Sequence, residues 1–125
     1  MSKKSCNFAA QLRNTKREGM QNDRQFIDKL SMLGKQILPR GASLWLYGSR
    51  ARGTARPDSD WDLLILLDKE EKEFDDFNKY AAPFADLALD EEQYTIPQIY
   101  THKEWKKFAF TPFVKNVEHD KIVLV

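Results

Sequence analysis

Leu46-Tyr47-Gly48-Ser49-Arg50-Ala51-Arg52-Gly53, followed by Asp58-Ser59-Asp60-Trp61-Asp62-Leu63, is the stretch on which the fold turns. Upstream of Gly48, residues 43–47 read Ser-Leu-Trp-Leu-Tyr, a short apolar run of the kind that forms a buried strand. Residues 48–59 are rich in Gly, Ser, Arg and Pro and predict a loop, or a loop with one short helix. Trp61 to Leu67 is apolar except for Asp62, which predicts a second, central strand covered on both faces.

The acids carry the first chemical argument. Side chains alternate along a strand, so Asp60 and Asp62 point to one face, with Leu64 and Leu66 further along it. Asp62 thus stands inside an apolar run, where an unpaired carboxylate is costly to desolvate. Two like charges on one face also repel, and a divalent cation relieves both problems. Mg²⁺ favours one or two carboxylates together with phosphate oxygens and water.

The turn carries the second argument. Gly48 permits a backbone conformation closed to other residues and lets a ligand approach closely. Ser49 is placed to cap the following helix and offer its hydroxyl and nearby N–H groups to a phosphate. Arg50, Arg52 and Arg56 add positive charge where a triphosphate would lie. Trp61 falls on the opposite strand face from the acids, with Leu63 and Ile65, and so reads as core, as do Trp45 and Trp105. Tyr47 and Tyr100 are candidates to support a base, although no spacing selects them.

Outward from this stretch, Phe26, Leu30, Leu33 and Ile37 recur at helical spacing and predict a helix over 22–38, capped by Asn22 or Asp23 and stopped at Pro39-Arg40-Gly41. A second helix is predicted over 70–82, with Phe74, Phe77 and Ala81 on one face. Residues 94–100 predict a strand that Pro97 confines to an edge or bulged position. Thr101 to Glu104 has the capping-box pattern and opens a helix bearing Trp105 and Phe108. Ile122–Val125 is a short strand candidate. The expected architecture is α/β (α+β), a small mixed sheet with helices packed on it, formed by residues 21–125. Residues 1–20 are expected to be a mobile or peripheral segment.

A chain of 125 residues forms one core and leaves no room for a second lobe. Its net charge of +1 argues against a dedicated nucleic-acid binder. No stretch is long and apolar enough to span a membrane, and Lys3 and Lys4 precede no apolar segment of a signal peptide, so a cytoplasmic location is expected. Cys6 is the only cysteine, which excludes a disulfide framework, and His102 and His119 lack metal-ligand spacing.

Segment 46–67 resembles the signature of the DNA polymerase β-like nucleotidyltransferase superfamily in its minimal form. That form includes small MNT-type domains, often antitoxins encoded beside a helical HEPN-type toxin, and the kanamycin nucleotidyltransferases. More loosely, Ile99-Tyr100-Thr101, Glu104-Trp105 and Pro112-Phe113 resemble the tail of small members. The resemblance implies that Gly48 and Ser49 contact the triphosphate, with Arg50 and Arg52 beside it, and that Asp60 and Asp62 hold Mg²⁺. It also implies transfer of a nucleoside monophosphate, AMP from ATP, to a hydroxyl of a protein or small molecule.

Active members carry a third carboxylate on the strand beside the acid pair, completing a two-metal site. Here 94–100 contains no acid; the nearest upstream candidates are Glu92, Glu91, Asp90 and Asp86, of which Glu92 shares alternation parity with Tyr94, Ile96 and Gln98 and comes first if the strand starts that early. The alternative function is a nucleotide-binding antitoxin or regulatory module acting through a partner with weak or no catalysis. Either way the acceptor surface is expected from a HEPN-type protein or a second copy of the chain. The acceptor, the nucleotide and the oligomeric state are not legible in the sequence.

Overall fold

The computed structural model describes residues 8–125, with side chains from residue 22 onward. Helix α1 (Phe8–Ile37) precedes strand β1 (Ser43–Tyr47), a single-turn helix α2 (Ser49–Arg52) and strand β2 (Asp62–Leu67). A π-helical turn (Phe77–Ala81) leads into α3 (Ala82–Asp90), then β3 (Gln98–Thr101), α4 (His102–Lys107), α5 (Pro112–Asp120) and β4 (Ile122–Val123). The strands form one mixed sheet in the order β3-β2-β1-β4. β1 is antiparallel to both β2 and β4, and β2 is parallel to β3.

Both faces of β2 are covered, as its unbroken apolar run requires. Leu63, Ile65 and Leu67 join Trp61, Phe26 and Leu30 of α1, and Phe84 and Ala88 of α3, in one cluster. Leu64 and Leu66 face the other way, into a smaller cluster with Trp45, Trp105 of α4, and Val114 and Val117 of α5. Asp62 shares that second face by strand alternation.

The observed elements differ from the expected ones in definable ways. α1 starts at Phe8 rather than near 22, so Asn22 and Asp23 are mid-helix and cap nothing; residues 1–7 of the expected peripheral segment lie outside the described residues. The helix expected over 70–82 is displaced to 77–90. Its expected anchor Phe74 is 102 % exposed, because Asp76 is buried and fixes the preceding loop instead. Asp76 accepts from the Glu73 N–H at 2.6 Å and from the Lys69 ammonium at 2.9 Å. Helix α5 was not anticipated, although Thr111 capping the N–H of Val114, with Pro112 at the first helical position, is a recognisable start.

Candidate functional site

The turn between β1 and α2 meets the start of β2. Tyr47 pairs with Asp62 in the antiparallel register, so the residue after Tyr47 lies beside the Asp62 side chain. Gly48 has φ 74° and ψ −155°, a region essentially restricted to glycine. A Cβ added there would land on the Asp62 Oδ2 atom. Glycine is therefore required twice, by the backbone and by the carboxylate it abuts.

Gly48, not Ser49, is the N-cap of α2; Ser49 is its first helical residue and its side chain makes no cap. The Gly48 carbonyl accepts from the N–H groups of Ala51 and Arg52, both at 3.0 Å. Gly53, at φ 79°, closes the turn by donating to the Ser49 carbonyl. The expectation of a short helix inside the loop holds, but the serine is one position further in than a capping role needs.

Asp62 is half-buried and Asp60 is exposed just before the strand. Burial pushes the Asp62 carboxyl above the usual carboxylate range, the charge of Asp60 pushes it further, and Arg52 partly offsets both. Tyr47, on the same face, is pushed up to about 12 by burial, then by the charge of Asp62 and by Tyr100. Its phenol therefore stays protonated. Phe113 of α5 packs edge-on against Tyr47 with ring centroids 5.8 Å apart and lies 6.4 Å from Tyr100, closing the inner side of the site with aromatic surface.

The two arginines part company. Arg52 stays near the acids and forms an ion pair at 2.7 Å with Asp120, at the end of α5. Arg50, expected beside the phosphates, has a side chain only 5 % exposed. Its guanidinium donates to the carbonyls of Ser59 (2.8 Å) and Pro57 (3.1 Å) and to Asp23 of α1 (3.2 Å). It also stacks over Trp61, 4.5 Å from the ring centroid. Arg50 is thus the internal tie that fixes the loop delivering Asp60. Its partner Asp23 lies 27 residues upstream, a pairing no local pattern reveals.

Glu92 does not lie on a strand. β3 begins only at Gln98, and Glu92 sits in the turn after α3 at φ 58°, so alternation counted back along the strand does not reach it. It lines one surface cleft with Asn22, Gln25 and Phe26 of α1 and another with Pro57, Asp58 and Ser59 of the loop before Asp60, without converging on the acid pair. What faces the acids from β3 follows from the register. Trp61 bridges Thr95 and Leu64 pairs with Gln98, one constant offset that sets Asp62 across from Ile96. Ile96 and Gln98 are the exposed residues on that face, and neither is acidic. Among the described residues no three His, Cys, Asp or Glu side chains converge.

The donor set fits one divalent cation. Two neighbouring carboxylates, one of them under desolvation stress, gain from a shared cation, and the Asp62 carboxylate lies directly against the Gly48 backbone.

Comparison with known proteins bears on the family and the fold. The profile of the nucleotidyltransferase domain family matches residues 24–125. The fold is similar to that of a candidate nucleotidyltransferase from Sulfolobus solfataricus, with TM-score 0.52 and 17 % identity, covering 84 % of each chain. It is also similar to a chain in a toxin–antitoxin crystal structure with AMP-PNP, with TM-score 0.51 and 19 % identity, covering 79 % of this chain and 72 % of that one. No curated protein sequence matches the chain. With the family profile spanning the sheet, the glycine turn and the acid pair, the chain belongs to the nucleotidyltransferase domain family.

Proposed function

We propose that this domain binds ATP with Mg²⁺ and transfers the AMP moiety to a hydroxyl presented by a partner protein. The observation that carries the reading is the contact at Gly48, where a bare backbone turn and the Asp62 carboxylate meet with no room for a side chain. That juxtaposition serves a ligand that needs both a close backbone approach and a metal. Asp60 and Asp62 would hold the cation, which when bound neutralises phosphate charge and polarises the phosphoryl group. The backbone at Gly48 and Ser49 would cradle the phosphates, and Arg52 would supply positive charge beside them. Tyr47 and Phe113 would flank the inner side of the acids with aromatic surface, where reduced access of water strengthens electrostatic attraction.

Adenosine and a protein acceptor are favoured because one solved chain of similar fold sits in a toxin–antitoxin structure with AMP-PNP. A HEPN-type partner or a second copy of this chain would supply the acceptor surface. A second reading, a nucleotide-binding antitoxin or regulatory module with little turnover, is favoured by one observation: Ile96 and Gln98 stand where a carboxylate on β3 would complete the site.

Labelled ATP, Mg²⁺ and the product of the neighbouring gene separate the two readings. Label transfer that disappears in Asp60→Ala/Asp62→Ala supports transfer. A stable complex without transfer supports the regulatory module.

A further inference from the structure

The register of β3 sets which residues a cation beside the acid pair would meet. Across from Asp62 stands Ile96, 64 % exposed, a hydrocarbon surface with no donor. The next residue on that face is Gln98, exposed and paired with Leu64. A cation bridging Asp60 and Asp62 is provided for by those carboxylates and phosphate oxygens. A second one, displaced toward β3, would meet an amide and an isoleucine. Mg²⁺ gives up hydration water reluctantly and is held by anionic oxygens, so a neutral amide is a poor replacement for a carboxylate. Glu92, the nearest acid by sequence alternation, sits in the turn after α3 between α1 and the 57–59 loop, and does not converge with Asp60 and Asp62. Arg52 already places a fixed positive charge within reach of Asp62.

We infer that this site holds a single divalent cation with its nucleotide, and that Gln98 is the residue that keeps the second position empty. The inference rests on the proposed nucleotide and metal site. Gln98 then limits turnover without limiting binding: the nucleotide is held by Gly48, Ser49 and the first cation, and the acceptor hydroxyl lacks the carboxylate-bound ion that would promote loss of its proton.

Mn²⁺ titration monitored by electron paramagnetic resonance, with the full chain and a non-hydrolysable ATP analogue, tests this directly. Wild type is expected to bind one Mn²⁺ per chain in the ternary complex. Gln98→Asp is expected to bind two and, in the separate assay with labelled ATP and the partner, to raise label transfer roughly 100-fold. Gln98→Ala is expected to stay at one. Gln98 is exposed at a sheet edge, so Gln98→Ala should melt like the wild type, and Gln98→Asp, which adds a third like charge, somewhat lower until cation binds; a thermal scan checks that all three are folded. Two ions in the wild type would overturn the single-cation inference while leaving the nucleotide site intact. One ion in a folded, nucleotide-binding Gln98→Asp would overturn the role of Gln98. No ion in any of the three would overturn both the inference and the site on which it rests.

Discussion

At the scale of single residues, the site depends on two residues that act in opposite ways. Gly48 works by having none. Gly48→Ala should cost about 1–3 kcal/mol from backbone strain alone and also displace the Asp62 carboxylate. Thermal melting should show the first effect and loss of nucleotide-induced stabilisation the second. Arg50 works by being fully engaged. Arg50→Ala leaves the Ser59 and Pro57 carbonyls unpaired and uncovers Trp61, and should cost about 2–3 kcal/mol in denaturant unfolding. Asp23→Ala should cost only about 0–1 kcal/mol, since that carboxylate is 43 % exposed. The comparison distinguishes a loop tie from an ordinary surface ion pair.

At the scale of elements, the segment of sequence that carried chemistry was also the most legible. Strand β1 falls where the apolar run 43–47 placed it, and β2 differs only in that Trp61 forms an isolated bridge before Asp62. Pro97 lies before the edge strand β3, as its missing N–H demands, and the capping box at Thr101 forms with both of its hydrogen bonds. Thr101→Ala should therefore cost about 1 kcal/mol in chemical denaturation. What could not be read was long-range. Phe74 has helical spacing to Phe77, yet Asp76 turns inward and leaves Phe74 in solvent. Glu92 has the right parity for a strand that does not extend so far. Arg50 looks like a phosphate ligand until α1 and the loop are seen to enclose it. Asp76 also sets a pH dependence. Its burial opposes ionisation, but the Glu73 N–H and the Lys69 ammonium outweigh this and hold its carboxyl below the usual range. A depressed folded pKa stabilises above the unfolded value near 4 and loses that contribution as pH falls through the folded one. Asp76→Asn should flatten this part of the acid unfolding profile.

At the scale of the molecule, the sheet separates a structural side from a chemical side. α1 and α3 cover the larger core, and no helix among the described residues is long and apolar enough to cross a membrane. α4 and α5 cover the inner half of the other face and leave the end at Asp62, Tyr47 and Gln98 less covered. On the proposed function, the glycine turn and the acid pair together bind a metal–nucleotide complex. Thermal melting with ATP, with and without Mg²⁺, tests it most directly, since ligand at ten times Kd should raise Tm by about 5 °C. The account predicts that rise in the wild type with Mg²⁺, a much smaller one without it, and none in Asp60→Ala/Asp62→Ala. No shift at millimolar ATP with Mg²⁺, or an equal shift in the double variant, would contradict it.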